Sequence, residues 1–144
     1  GLPSDRLEVE VTESGLMEDV EQARRQLKQL ADAGVSVAID DFGTGYSSLA
    51  YLKDLPVSTL KIDRTFINAM GKHQQDQNLV RTVIAMAHNF GCAVVAEGIE
   101  APDQARTLLG LGCELAQGFW FARPMNAAQF EQICRQPPDW DFGE

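Results

Sequence analysis

The sequence predicts an α/β fold, an incomplete (β/α) barrel of about five βα units around a parallel sheet. Two observations support this fold class. Short apolar segments alternate with amphipathic helical segments along the 144 residues, which is typical of parallel strands joined by right-handed crossovers. The predicted strands begin roughly every 27 residues, close to the repeat of a (β/α)8 barrel of about 250 residues. Five units are too few to close such a barrel, so we expect the chain to be the C-terminal part of a larger domain.

The predicted strands are short and apolar, and a polar residue follows each of them. The second strand, around Val37 and Ile39, is apolar and β-branched, as expected for a strand that is buried on both faces. The five predicted strands cover residues 7–10, 35–39, 59–62, 92–96 and 115–116.

The predicted helices carry apolar residues at helical spacing. In the first, Val20 and Leu27 share one face, and Gly34 fits a C-terminal cap. The five predicted helices cover residues 18–33, 47–55, 76–90, 102–111 and 127–135. We expect residues 1–136 to form the barrel segment and residues 137–144 to form a C-terminal tail whose aromatic side chains pack against it.

Polar side chains end the predicted strands. Because the carboxyl ends of parallel strands meet at one rim, where barrel enzymes build their active sites, we expect these side chains to lie close together. Several carboxylates in one place repel one another unless a cation lies among them, so the rim predicts a divalent-metal site. Taken singly, each acid could instead be a solvated rim residue, and the lysine a structural ion-pair partner. The rim residues are Glu10, Asp40, Asp41, Lys61, Glu97 and Gln117.

A glycine-rich loop, residues 40–48, follows the second strand with the sequence DDFGTGYSS. Its two adjacent acids, Asp40 and Asp41, can serve different ions because one of them can bridge. Gly43 permits a tight turn that brings the backbone close to a ligand, and Thr44 can donate a hydrogen bond. The alternative is an acidic cap and turn before the next helix.

Two further acids follow strand ends. Glu13 could brace the glycine-rich loop or begin the following helix, where an acid interacts favourably with the helix dipole. Glu100 could contact the edge of a nucleobase or support the metal site from outside it. Trp120 could stack on a nucleobase, although packing is its expected role.

Composition and charge exclude several classes of function. A formal net charge of −9 argues against a DNA or RNA polymer as partner, since such surfaces need clustered Lys and Arg. No apolar run approaches the ~20 residues of a membrane span. The three cysteines form no CxxC pair, so we expect free thiols in a reducing compartment, the cytoplasm. Neither His73 nor His88 belongs to a nucleophile motif.

Five segments together resemble the EAL domain, the cyclic di-GMP phosphodiesterase family of bacteria. They occur in the family's order and extend over nearly the whole chain. The segments are EVTES at 10–14, DDFGTGYSSL at 40–49, LKIDR at 60–64, AEGIE at 96–100 and QGFWFARP at 117–124.

The resemblance implies a TIM-like barrel that binds two Mg²⁺ or Mn²⁺ ions and hydrolyses cyclic di-GMP to linear pGpG. Two-metal hydrolysis combines activation of a bound water with stabilisation of the attacking and leaving oxygens. By motif position, the implied metal ligands are Glu10, Asp40, Asp41 and Glu97. Glu97 could instead be the general base, and the resemblance leaves these two roles open.

The resemblance also implies roles for residues around the metals. Lys61 positions the attacking water or contacts phosphate, and Gln117 holds a metal-bound water. Glu13 braces the glycine-rich loop, which in this family couples the metal site to dimerisation. The other residues implied in substrate binding or loop support are Phe42, Gly43, Thr44 and Glu100.

The sequence departs from the family in one respect, because the Glu-Ala-Leu motif is absent. Its glutamate and a downstream asparagine complete the first metal site, so we expect the isolated chain to turn over little or nothing. The alternatives are a catalytically silent cyclic di-GMP receptor or interaction module, and a one-metal barrel lyase, against which the adjacent Asp40 and Asp41 argue. We expect unpaired strand edges to cause self-association. The resemblance further allows an upstream sensor, diguanylate-cyclase-like domain or membrane anchor in the full-length protein.

Overall fold

The structure, a computed structural model, describes residues 1–43, 52–71 and 73–140. Within them, five strands form one sheet in the order β1-β2-β3-β4-β5, and each neighbouring pair is parallel. The strands are β1 Glu8–Thr12, β2 Ser36–Phe42, β3 Thr59–Ile62, β4 Ala93–Ala96 and β5 Leu115–Ala116. Helices alternate with these strands, which confirms the predicted α/β class and the incomplete barrel.

The described helices follow the strands closely. A short 3₁₀ turn at Ser4–Arg6 precedes the sheet. The helices are α1 Glu13–Glu18, α2 Val20–Asp32, α3 Arg64–Met70, α4 Gln74–Asn89, α5 Pro102–Gly110 and α6 Ala127–Arg135.

The sequence analysis predicted α2 but missed two short helices, α1 and α3. The single helix expected over residues 18–33 is preceded by the separate α1, and α2 begins after Asp19, whose Oδ1 accepts a hydrogen bond from Gln22 N at 2.9 Å. Helix α3 was not predicted. Its N-cap is Asp63, whose carboxylate accepts a hydrogen bond from Thr65 N at 2.9 Å, and its seven residues are too few for a clear periodic pattern.

The described helices cover one face of the sheet, and the opposite face is more open. In β1, Val11 packs against the core, whereas Glu8 and Glu10 are exposed on the other side of the strand. Ala38 pairs with both Glu10 and Thr59, and Lys61 is two residues after Thr59, so Lys61 lies on the same open face as Glu10. The core on the covered face includes Leu27, Val37, Ile39, Leu60, Ile62, Ile84, Val94 and Leu108. Burial of each such side chain contributes about 1.5–3 kcal/mol, so the core holds the strand ends in place.

The C-terminal segment packs back on the body through Trp140. Its Nε1 donates a hydrogen bond to the carbonyl of Phe121 at 3.2 Å, and the two rings lie 5.8 Å apart edge to face. The predictions for Thr44, for Phe142 and for most of the helix at residues 47–55 fall outside the described residues. Within the part of the chain that is described, no helix combines the length and apolar character that crossing a bilayer requires.

Candidate metal and active site

Lys61 lies at the centre of an acidic cluster, which consists of Glu10, Asp40, Asp41 and Glu97. Its side chain is only 7% exposed, and its Nζ lies 2.7 Å from both Glu10 Oε1 and Glu97 Oε1 and 3.4 Å from Asp40 Oδ1. Burial by itself would lower the pKa of Lys61. Hydrogen bonds to the two glutamates and the surrounding negative charge raise that pKa above its ordinary value instead. Lys61 therefore stays cationic at neutral pH and neutralises part of the cluster.

Asp40, Asp41 and Glu97 bring three carboxylates together at the ends of β2 and β4. One oxygen of each lies within 4.8 Å of the others. Adjacent residues of a regular strand point to opposite faces, but the register of β2 shifts between Ile39 and Phe42, and Asp41 has a φ of 55°. We attribute the convergence of the two aspartates to this irregular backbone. Oxygen-rich donor sets of this kind fit hard divalent cations such as Mg²⁺ and Mn²⁺.

Glu13 holds the start of the glycine-rich loop. Its side chain is 1% exposed, and its Oε2 accepts a hydrogen bond from the backbone N–H of Gly43 at 2.7 Å. Gly43 has a φ of 98°, and a Cβ there would lie 2.9 Å from the Phe66 ring. Phe42 is 5% exposed and belongs to the hydrophobic core, so it anchors the backbone between Asp41 and Gly43. These contacts connect α1 to the backbone directly after the two aspartates.

Hydrogen bonds join the loop after β4 to the loop after β5. Gln117 Nε2 donates to Glu97 Oε1 at 2.6 Å, and Ile99 N donates to the carbonyl of Gln117 at 3.1 Å. The carbonyl of Ile99 accepts from Trp120 N at 2.9 Å. A Cβ on Gly118 would lie 2.2 Å from both the nitrogen and the oxygen of Ile99, so only glycine permits this approach. Gln117 is thereby placed against the acidic cluster.

A cavity of about 670 Å³ lies beside the acidic cluster. This volume is in the range of small-molecule sites, roughly 300–1,000 Å³. Glu97, Glu100 and Gln117 contribute polar groups to its wall. Arg64 and Arg123 also line it, and the Arg123 guanidinium lies 4.5 Å from the centre of the Phe119 ring. The cavity therefore offers positive charge and an aromatic surface next to carboxylates.

The structure thus brings together most of the residues that the sequence singled out. Asp40, Asp41 and Glu97 form one group, and Glu10 joins them through Lys61. Sequence reasoning did not assign Arg123 to the site. Its place in the loop that follows the last strand end was the feature that could have indicated it.

Comparison with known proteins shows the family of the chain. Residues 1–124 match the family model described as the EAL domain. The chain belongs to the EAL domain family. This membership confirms the resemblance drawn from the five sequence segments, and it agrees with an incomplete TIM-like barrel.

Several EAL relatives carry functional names. The chain is 47% identical over 135 residues to the cyclic di-GMP phosphodiesterase NbdA of Pseudomonas aeruginosa, covering 94% of this chain and 17% of NbdA. It is 47% identical over 128 residues to MucR of the same organism, named a bifunctional diguanylate cyclase/cyclic di-GMP phosphodiesterase, covering 89% of this chain and 19% of MucR. The chain therefore spans about a fifth of the length of these curated relatives.

Solved structures of EAL proteins superpose well on the chain. A MucR phosphodiesterase in complex with cyclic di-GMP matches with a TM-score of 0.86 and 46% identity, covering 90% of this chain and 52% of that one. BlrP1 of Klebsiella pneumoniae, in a complex with manganese and cyclic di-GMP, matches with a TM-score of 0.80 and 36% identity, covering 85% and 31%. Another BlrP1 complex contains calcium and cyclic di-GMP.

Proposed function

We propose that this EAL chain contributes the active site of a phosphodiesterase that hydrolyses cyclic di-GMP to linear pGpG in bacterial second-messenger signalling. The observation that carries the proposal is the convergence of Asp40, Asp41 and Glu97 within 4.8 Å beside the buried Lys61. The names of NbdA and MucR and the ligand in the MucR and BlrP1 complexes support the choice of substrate.

We further propose that the full-length protein uses two divalent ions, Mg²⁺ or Mn²⁺. Asp40, Asp41 and Glu97 would hold them, and Glu10 would join the ligand set. A divalent ion supplies a water of lowered pKa and neutralises charge on the phosphate. The manganese and calcium in the BlrP1 complexes support a divalent ion without selecting magnesium.

The remaining residues of the site would bind the substrate and orient the metal-binding carboxylates. Lys61 places an ammonium group among the carboxylates, where it can hold a water or a phosphate oxygen. Gln117 donates to Glu97 and so fixes the direction of that carboxylate. Glu100 on the cavity wall can accept hydrogen bonds from the edge of a guanine, and Arg64 and Arg123 offset the negative charge of a dinucleotide. A chain of net charge −9 needs such local cations to hold an anionic ligand.

The proposal is tested by pGpG formation in the full-length protein that contains this chain, with Mg²⁺ present. We expect Asp40→Asn and Glu97→Gln each to lower kcat by at least about 100-fold, since even residues behind metal ligands contribute 10–100-fold. Glu131→Gln, at an exposed pair with Arg135, serves as the control and should leave the rate unchanged. Tight binding of cyclic di-GMP with no Mg²⁺-dependent pGpG would defeat the enzyme proposal.

For the 144-residue chain alone, we propose ligand binding without turnover, as in a silent receptor. Glu10 is 49% exposed at its side chain and is engaged by Lys61, and it lies outside the group of carboxylates that could share an ion. The same assay with the isolated chain tests this, and hydrolysis at a rate near that of the full-length protein would contradict it.

We also propose self-association of the isolated chain. In the described sheet, β1 and β5 are edge strands, and Leu115 on β5 is 50% exposed. Unpaired edges and exposed apolar side chains favour pairing with another chain. A single monomeric species by light scattering across the micromolar range would argue against it.

Two further proposals concern the cellular setting. The name of MucR supports an additional diguanylate-cyclase-like domain in the full-length protein. The free thiols of Cys92, Cys113 and Cys134 support a reducing compartment, the cytoplasm, for this domain. Fractionation of cells that express the tagged full-length protein would decide whether a membrane anchor accompanies it.

A further inference from the structure

The last two residues of the loop between β4 and α5, Glu100 and Ala101, bind one side chain of the helix that follows. Gln104 Oε1 accepts hydrogen bonds from the backbone N–H of Glu100 at 2.8 Å and of Ala101 at 3.1 Å. Gln104 Nε2 donates to Asn68 Oδ1 of α3 at 3.1 Å. One amide group therefore joins this loop to two helices.

These contacts go beyond the usual capping of a helix start. Helix α6 offers the comparison, because Gln129 Oε1 accepts from Asn126 N at 3.2 Å and makes no other described hydrogen bond outside that helix start. Gln104 additionally reaches Asn68, on the helix that begins three residues after Lys61. It thus connects the loop after β4 to the helix after β3.

The loop has little room to move without disturbing the site. Ile99 is hydrogen-bonded on both sides to the loop after β5, and the backbone at Gly118 lies too close to Ile99 for any Cβ. Glu100 follows Ile99 directly and lines the cavity of about 670 Å³. A change in the backbone at Glu100 therefore alters the wall of the cavity. The carboxylate of Glu97 has separate support, because it is bonded to Lys61 and Gln117.

We propose that Gln104 is a positioning residue for the nucleotide cavity: by binding the N–H groups of Glu100 and Ala101 and the side chain of Asn68, it fixes Glu100 for contact with the ligand. The proposal rests on the proposed function for the identity of that ligand. The proposal predicts that Gln104 affects nucleotide binding but not metal binding, since Gln104 contacts the cavity wall and makes no described hydrogen bond to the metal-binding carboxylates.

The first test needs no ligand and measures amide hydrogen exchange in the 144-residue chain. Gln104→Leu removes the acceptor and should speed exchange at Glu100 and Ala101 at least about fivefold, the equivalent of one hydrogen bond. Gln104→Glu keeps an oxygen for both N–H groups and should retain slow exchange. Gln129→Leu removes the corresponding contact in α6 and should leave both rates unchanged. Equal rates in Gln104→Leu and the unmodified chain would overturn the proposal.

The second test measures Ca²⁺ and cyclic di-GMP binding by calorimetry in the full-length protein. Gln104→Leu should weaken cyclic di-GMP binding about fivefold while Ca²⁺ affinity stays within twofold, and Gln104→Glu should restore most of the loss. A general structural role would weaken both ligands together, so equal weakening, or none, would overturn the proposal. If the unmodified protein binds Ca²⁺ but no cyclic di-GMP, the proposed function fails, and the exchange rates alone decide the role of Gln104.

Discussion

Replacing Lys61 with methionine removes the cation at the centre of the acidic cluster and keeps most of the side-chain volume. The chain offers a matched control in Lys28, which pairs with Asp32 at 3.0 Å but has a side chain that is 70% exposed, against 7% for Lys61. The same substitution at both positions therefore compares a buried with an exposed ammonium group.

The expected magnitudes differ because water screens the exposed pair of Lys28 more strongly than the pairs of the buried Lys61. Removing one partner of a buried ion pair costs about 3–5 kcal/mol, since a buried charge is left uncompensated. The side chains of Glu10, Asp40 and Glu97 remain 49%, 24% and 17% exposed, so water can partly solvate them after the change. We therefore expect Lys61→Met to lower the free energy of unfolding by about 3 kcal/mol, the lower end of that range. Lys28→Met should lower it by no more than about 0.5 kcal/mol.

A divalent ion should replace the missing charge. Binding to the folded state alone, at 100 times its Kd, adds about 2.7 kcal/mol of stability. Without Lys61 the carboxylates no longer share their charge with an ammonium group, so Mn²⁺ should stabilise Lys61→Met more than the unmodified chain. Urea denaturation followed by circular dichroism, with EDTA or with Mn²⁺, measures both quantities. The reasoning is refuted if the two lysine variants unfold alike in EDTA, or if Mn²⁺ stabilises Lys61→Met no more than the unmodified chain.

Three further outcomes follow from individual contacts. Gly118→Ala should lower the free energy of unfolding by about 3 kcal/mol, because the added Cβ would lie 2.2 Å from the Ile99 backbone. At the control position, the Cβ of Gly110→Ala meets no atom within 4 Å, so that variant should be neutral or gain up to about 1 kcal/mol of stability. Similar urea midpoints for the two variants would contradict this expectation. Asp63→Ala should lose about 1 kcal/mol of helix capping at pH 7. Burial alone would raise the pKa of Asp63, but hydrogen bonds from Thr65 lower that pKa below 3.8. The difference in stability between Asp63→Ala and the unmodified chain should therefore vanish only as the pH falls through this lowered pKa. A stability difference that persists in strong acid would argue against the capping. Because the pKa of Lys61 is raised, its ion pairs contribute fully to the free energy of unfolding below pH 10.5, and this contribution disappears as the pH rises through the pKa in the folded state. An alkaline titration in which the stability difference between the unmodified chain and Lys61→Met stays constant would be inconsistent with the ion pairs.

Local sequence determined several elements to the residue. Strand β3 was predicted at 59–62 and α6 at 127–135, and both have those bounds in the structure. Each is delimited by neighbouring side chains, since Asp63 caps the helix after β3 and Asn126 caps α6. Helix α3 was not predicted because only one capping residue marks its start, and its seven residues are too few to show a helical pattern of apolar residues.

The position of the site at the carboxyl ends of the strands also followed from sequence. Parallel strands bring their ends to one rim, so Glu10, Asp40, Lys61 and Glu97 had to be near one another once the βα alternation was recognised. The type of chemistry followed from the excess of carboxylates, which only cations can hold together.

Only the tertiary structure decided which of these groups meet. Strand alternation would send Asp40 and Asp41 to opposite faces, and the positive φ of Asp41 with the shifted register of β2 accompanies their convergence. The pairing of Lys61 with both glutamates and the contact of Gln104 with Asn68 join segments far apart in the chain. Such contacts depend on strand register and loop conformation, which the packing of the whole sheet selects and no local pattern of residues records.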